Sequence, residues 1–120
     1  MLKRISISCN GIILDSNFDL VPEMYELLKV IKDKYRIYLT TVVDQEDSSK
    51  GTYSKARESL QRLISEGIVE EYRVMYCTTQ TGQIAQIRQL SSELHIETNL
   101  EVVQNLHQHM NKFHLVNPYN

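Results

Sequence analysis

The chain has 120 residues, of which 42% are hydrophobic and 23% are charged, and its formal net charge is −2. This length fits one domain over residues 1–120, with a core large enough for independent folding. The slight acidity argues against a nucleic-acid partner, because binding to phosphates needs a basic patch. Cys9 and Cys77 are too few for a disulfide scaffold, so we expect buried, reduced thiols in a cytosolic compartment.

The sequence shows no sign of membrane insertion. It lacks a run of about 18 apolar residues, the length that a helix needs to cross a bilayer. Residues 1–4 lead directly into the first predicted strand, without the apolar core of a signal peptide. We therefore expect any natural membrane anchor to lie outside this sequence.

The first half of the chain predicts two strands and one helix. Residues 5–9 alternate between apolar and polar side chains, which predicts a strand that ends at the turn Asn10-Gly11. A short apolar flap, residues 12–14, follows, and Asp19 is the expected N-cap of the helix. The helix carries an apolar stripe at Met24, Leu27, Leu28, Ile31 and Tyr35, with Tyr25 off the stripe. Residues 36–43 are apolar on both faces, which predicts a strand that is buried on both sides.

The second half alternates three predicted helices with three short strands. The strands are residues 74–77, 94–97 and 113–116. The helices carry apolar stripes at Ala56, Leu60, Leu63 and Ile64, at Ile84, Ile87 and Leu90, and at Leu100, Val103, Leu106 and Met110. The polar residues 44–51 are expected to form a loop, after which Ser54 or a nearby hydroxyl begins a helix that Gly67 ends in a left-handed cap. Asn99 is the expected cap of the last helix.

Strands that alternate with helices at this spacing imply right-handed crossovers and a parallel sheet. We predict an α/β fold, a single three-layer Rossmann-like domain in which helices cover both faces of a five-stranded parallel sheet. Ligands of such sheets usually meet the carboxyl ends of the strands. The residues expected at that edge are 8–11, Thr40 and Thr41, 77–79 and 97–99.

The first strand, its tight turn and the apolar flap resemble the start of phosphotransferases of the haloacid-dehalogenase type. That family carries Asp-x-Asp-Gly at the turn, where the first Asp attacks phosphorus and the second transfers a proton. This sequence has Ser8-Cys9-Asn10-Gly11 instead. Ser8 cannot be an anionic Mg²⁺ ligand, and Asn10 cannot donate and retrieve a proton.

The other positions of that active site are only partly preserved. Thr40 matches the hydroxyl that holds phosphate, and Glu97 matches the acidic position after the fourth strand. No lysine occurs in residues 56–111, so the usual phosphate-holding lysine is absent, and Arg88 within a helix is a poor substitute. We therefore expect no catalytic, cofactor-binding or metal-binding residues. The alternative is a Mg²⁺-dependent phosphatase of this type, in which Ser8 and Glu97 would be essential.

The histidines give weaker signals. His107 and His109 are two residues apart and point to different faces of a helix, so they are not a zinc pair. His95 and His114 lie in or beside predicted strands, where a hydrogen-bonded core histidine is expected. Ser8 and Cys9 with a distant histidine would be a nucleophile pair, but nothing in the sequence places a base beside them.

The region from Met75 to Asn99 resembles the peroxin-22 family. The residues that carry the resemblance are Met75-Tyr76-Cys77-Thr78-Thr79-x-x-Gly82, Ile87-Arg88-Gln89-Leu90 and His95-Ile96-Glu97-Thr98-Asn99, and the opening Ile5 to Gly11 is similar to the family's first strand. The resemblance implies a Rossmann-like domain at the cytosolic face of the peroxisomal membrane. It also implies that the domain tethers and stimulates the ubiquitin-conjugating enzyme peroxin-4, which serves receptor ubiquitination and recycling in peroxisomal protein import. Family members normally carry an amino-terminal transmembrane segment.

A partner of this kind would bind to surface residues outside the core. Interfaces favour aromatic side chains that lie off the core stripes. The candidates are Tyr25, Tyr53, Tyr72 and Tyr119. A further alternative is a pseudo-phosphatase adaptor that binds some other protein.

Overall fold

A computed structural model describes residues 2–44, 51–110 and 112–119 of the chain. The strands are β1 (Lys3–Ser8), β2 (Tyr35–Val42), β3 (Val74–Cys77), β4 (Leu94–Glu97) and β5 (Phe113–Leu115). They form one parallel sheet in the order β3-β2-β1-β4-β5. The helices are α1 (Pro22–Ile31), α2 (Thr52–Ser65), α3 (Gln80–Leu90) and α4 (Leu100–Leu106), and a single 3-10 turn, Glu71–Arg73, precedes β3. The five-stranded parallel α/β fold is confirmed, and the predicted loop residues 45–50 lie outside the described residues.

Helices cover both faces of the sheet, as predicted. On one face, Leu28 of α1 and Leu60 of α2 pack with β1 and β2 in the larger core cluster. On the other face, Ile87 of α3 and Val102 and Leu106 of α4 form a smaller cluster. Complete burial of such aliphatic side chains contributes about 1.5–3 kcal/mol each. The two helix pairs therefore fix the sheet between them and leave the carboxyl ends of its strands free to form a site.

The predicted core face of α1 is confirmed at Leu28 but wrong at two other positions. Tyr25 is 7% exposed and belongs to the core, whereas Leu27 is 44% exposed. Tyr25 can be buried because its hydroxyl donates to Glu66 and Arg62 lies 4.0 Å from the centre of its ring. Tyr35, which was placed on the helix, is the first residue of β2.

The predicted N-cap of α1 is also wrong. Val21, not Asp19, occupies the N-cap position, and no side chain caps the helix. The backbone amide of Asp19 instead donates to the carboxylate of Asp15, which closes the turn that precedes the helix. Pro22 then starts the helix, since a proline at this position lacks only an amide that has no partner in the helix.

The ends of the other helices follow the predictions more closely. Gly67 has a φ of +72°, which confirms the left-handed end of α2, and the helix begins at Thr52, a hydroxyl residue near Ser54. Asn99 accepts a hydrogen bond from the amide of Glu101 and caps α4. Leu100 is 55% exposed, contrary to its predicted place in the core, because this short helix buries Val102 and Leu106. None of the helices in the described ranges is long and apolar enough to cross a membrane.

The flap after β1 is held by backbone hydrogen bonds and by the C-terminal tail. The carbonyl of Cys9 accepts hydrogen bonds from three successive amides, those of residues 12–14. The amide of Tyr119 donates to the carbonyl of Gly11 at 2.7 Å. Gly11 has a φ of +80°, and a Cβ atom added there would lie 2.9 Å from Cβ of Pro118. Glycine is therefore required here by both backbone conformation and space.

Candidate functional site

A cleft of about 260 Å³ lies where the carboxyl ends of β1, β2 and β4 meet the start of α3. Its lining residues are Ser8, Asn10, Val42, Gln80, Gln83, Glu97, Thr98 and Asn99. The sequence predicted that Ser8, Thr40 and Glu97 lie at this edge, and hydrogen bonds connect them: Gln83 donates to Ser8 and Thr40, and Ser8 donates to Glu97. Gln83 was not predicted.

The carboxylate of Glu97 is surrounded by donors from the protein itself. The hydroxyl of Ser8 donates to Oε1 at 2.5 Å, and Nε2 of His95 lies 2.9 Å from the same oxygen. The backbone amides of Thr98 and Asn99 donate to Oε2 at 3.1 and 3.2 Å. Glu97 is only 2% exposed, so these contacts replace the water that an exposed carboxylate would bind.

These contacts keep Glu97 ionised. Burial alone would raise its pKa, but the hydrogen bonds from His95 and Ser8 outweigh burial, so the pKa of Glu97 is lowered. Phosphotransferases of the haloacid-dehalogenase type use Mg²⁺, and the cleft does not fit that ion, because its one carboxylate already has four hydrogen-bond partners. Among the residues that the structure describes, no group of three or more His, Cys, Asp and Glu side chains could hold a metal.

Gln83 connects the two hydroxyls of the cleft. Its Nε2 atom lies 3.1 Å from Oγ of Ser8 and 3.2 Å from Oγ1 of Thr40. An enzyme of this type would hold phosphate oxygens at such a place with an ammonium group, whereas this amide is neutral. Because Ser8 donates to Glu97 and accepts from Gln83, its hydroxyl is engaged on both sides.

The sequence could have revealed Gln83 by its spacing. Gln83 and Ile87 are four residues apart and both are buried, so they share the face of α3 that points to the sheet. The predicted stripe placed Ile84 on that face, and Ile84 is only partly buried. A periodicity that counts only apolar residues misses a buried glutamine.

His95 is a hydrogen-bonded core residue, as predicted. It has no exposed surface, and its Nδ1 atom lies 2.7 Å from Oγ of Ser6, which in turn lies 2.7 Å from Oγ of Ser92. His114 is exposed, so the same prediction for it is wrong, because β5 is an edge strand.

The fold does place a histidine near Ser8, which the sequence did not indicate. Nε2 of His95 lies 3.3 Å from Oγ of Ser8, but it is closer to Glu97. The hydroxyl proton of Ser8 points to the carboxylate instead of the ring, and Ser8 is only 1% exposed. This arrangement gives an interior hydrogen-bond chain and not an exposed nucleophile.

Asn10, at the position of the proton-transferring acid, fastens the flap to β2. Its Nδ2 atom donates to the carbonyl of Val42 and its Oδ1 atom accepts from the amide of Val42, both at 2.9 Å. A side-chain amide can donate and accept at once, whereas an ionised carboxylate can only accept. At this position the departure from the phosphatase pattern, asparagine in place of aspartate, is therefore what the contact with Val42 requires.

The model of the family described as "Peroxisome biogenesis protein 22, Haloacid dehydrogenase-like domain" matches residues 3–120. The chain belongs to this family. The match extends from β1 past β5, so it covers the cleft and confirms the resemblance that was drawn from the sequence. A peroxin-22 domain of this kind has a role in peroxisome biogenesis. A search of curated proteins found no match.

The four candidate tyrosines of this peroxin-22 domain lie in different places. Tyr25 is buried, and Tyr53 packs edge-to-face on Tyr76 with 4.9 Å between the ring centroids. Tyr72 is 72% exposed and Tyr119 is 45% exposed. The four tyrosines therefore differ in how far they are exposed, and their contact with a partner stays a prediction.

Proposed function

We propose that this peroxin-22 domain is a non-catalytic binding module that recruits and stimulates a ubiquitin-conjugating enzyme of the peroxin-4 type. It acts at the cytosolic face of the peroxisomal membrane, where the enzyme modifies the cargo receptor so that the receptor is recycled for protein import. Recruitment raises the enzyme's concentration near its substrate. Stimulation requires that the domain bind one conformation of the enzyme more tightly than another.

The observation that carries the proposal is the state of the cleft. The hydroxyl of Ser8 and the carboxylate of Glu97 bond to one another, and the amide of Asn10 bonds to the backbone of β2. Where a phosphatase of this type would hold phosphate with a lysine, the neutral side-chain amide of Gln83 donates to the hydroxyls of Ser8 and Thr40. A scaffold that works by holding a partner needs none of the catalytic groups that the cleft lacks.

The partner surface is proposed from the exposed members of the four tyrosines. Tyr72 stands beside Arg73, whose guanidinium also lies 5.5 Å from the ring centre of Tyr38. Tyrosine and arginine are the residue types most often found at interaction hot spots. Tyr119 is the second candidate, whereas Tyr25 has too little exposed surface to serve.

Size-exclusion chromatography of the domain mixed with a purified peroxin-4-type enzyme tests the proposal. We expect a one-to-one complex, and no Mg²⁺-dependent hydrolysis of a generic phosphate ester by the domain alone. The alternative predicts hydrolysis that Ser8→Ala abolishes. Two separate peaks together with such hydrolysis would refute the proposal, whereas separate peaks without hydrolysis would favour an adaptor for another protein.

A further inference from the structure

An apolar groove of about 460 Å³ lies beside α1, and among the described residues it shares no lining residue with the cleft of Ser8 and Glu97. Met24 and Leu27 of α1 line one part of it, Ile96 of β4 another, and Val116 and Tyr119 of the C-terminal tail a third. Three further apolar residues belong to the lining, namely Ile12, Val21 and Pro118, and its polar members are Glu23, His114 and Asn117. Leu27 and Val30 are 44% and 67% exposed on the same helix, so the apolar surface extends beyond the groove.

The groove lies over a part of the sheet that helices cover only incompletely. On the face of α1 and α2, Ile5 of β1 and Ile37 of β2 are buried, whereas Ile96 of β4 is only partly buried and His114 of β5 is exposed. The other two helices pack on the opposite face. Beyond α1, no helix in residues 2–44, 51–110 and 112–119 covers β4 and β5 on this side.

The size of the uncovered strip suits one helix. Parallel sheets are normally covered on both faces by helices. Two neighbouring strands span about 10 Å, which is close to the diameter of an α-helix with its side chains. A helix laid over β4 and β5 next to α1 would complete the layer.

The charge at the groove indicates which helix would fit. Glu23 in the first turn of α1 is the one carboxylic acid among the described residues of the lining, which also include the imidazole of His114. Within the described part of the chain, no basic side chain forms an ion pair with Glu23, whereas the neighbouring Glu26 is paired with Lys29 at 3.5 Å. An occupant with a lysine or arginine beside its apolar face would complement this carboxylate.

We propose that this groove binds an amphipathic α-helix of the ubiquitin-conjugating enzyme, with the apolar side of that helix on Leu27 and Ile96 and a basic residue next to Glu23. The inference rests on the proposed function; of the two exposed candidate tyrosines it selects Tyr119, which lines the groove, over Tyr72, and it adds the kind of segment that binds there. Burial of Leu27 and Val30, which are now in contact with water, would supply the apolar part of the binding free energy.

Calorimetric titration of the intact domain with a purified peroxin-4-type enzyme tests the proposal through two matched pairs of variants. Leu27→Asp should weaken binding at least about tenfold. Leu100→Asp, which makes the same change at an exposed leucine of α4, should leave binding unchanged. Glu23→Lys should weaken binding about threefold to tenfold, less so at high salt, whereas Glu101→Lys in the first turn of α4 should not. Circular dichroism melts of all four variants establish that they are folded.

The outcomes separate the two proposals. If the wild-type domain does not bind the enzyme, the proposed function fails, and the groove proposal fails with it. If the wild type binds but Leu27→Asp and Leu100→Asp bind equally well, only the groove proposal is overturned. Analytical ultracentrifugation of the domain alone adds a further arm: a wild-type dimer that Leu27→Asp dissociates would assign the groove to a second copy of this chain and overturn the proposal.

Discussion

Replacement of Asn10 by aspartate would restore the acid that phosphatases of the haloacid-dehalogenase type carry, and we expect it to destabilise the fold. The amide of Asn10 donates to the carbonyl of Val42 and accepts from its amide, each at 2.9 Å. Asn10→Asp keeps the accepting contact but points a carboxylate oxygen at the carbonyl. Loss of one partly buried hydrogen bond and an unpaired carbonyl cost about 1–3 kcal/mol.

Urea unfolding at neutral pH measures this loss directly. Asn117→Asp introduces the same charge at an exposed residue of the tail and is the control. The deficit of Asn10→Asp should shrink as the pH falls to about 4, because a protonated carboxyl regains a donor for Val42. An Asn10→Asp variant as stable as Asn117→Asp at neutral pH would refute this role of the amide.

Three more predictions follow from the same contacts. In Glu97→Gln, the unfolding free energy should depend less on pH below about 4.5 than it does in the wild type. The pKa of Glu97 is lowered in the folded protein, so its contribution to stability is complete above the unfolded value of 4.5. That contribution is lost as the pH falls through the lower pKa of the folded state. Equal pH profiles in acid would contradict this assignment. Gly11→Ala should cost more than Gly67→Ala by about 1–3 kcal/mol in urea unfolding, since both have positive φ but only Gly11 has Pro118 within 4 Å of the added Cβ. Equal losses of unfolding free energy would show that the C-terminal tail moves away from the added Cβ atom at little cost. Cys9 should resist a thiol reagent until the protein unfolds, because burial raises its pKa to about 12, and rapid modification of the native protein would show an open flap.

The sequence predicted the order of elements because hydrophobic periodicity and turn residues are local signals. The strand before Asn10-Gly11, the left-handed end at Gly67 and the cap at Asn99 all depend on residues close in the chain, and the structure contains them. The position of Thr40 and Glu97 at one edge follows from parallel topology alone.

The side-chain arrangement could not be predicted in the same way. Tyr25 is buried because two residues that are distant in the sequence contact it. Glu66 accepts a hydrogen bond from its hydroxyl, and the guanidinium of Arg62 lies over its ring. Leu27 is exposed because no helix in the described part of the chain packs beside α1 over the groove. The residue pattern of α1 itself does not indicate whether a neighbouring helix is present. Gln83 reaches Ser8 across 75 residues of sequence, so a local pattern of apolar residues gave no reason to place it in the cleft.

We propose that the domain holds a ubiquitin-conjugating enzyme while its own cleft takes no part in catalysis. The most direct measurement is a calorimetric titration of wild-type domain and Ser8→Ala with the peroxin-4-type enzyme, with and without Mg²⁺. We predict one-to-one binding with the same affinity in all four titrations. Binding that requires Mg²⁺ or the hydroxyl of Ser8, or no binding by the wild type, would contradict the account.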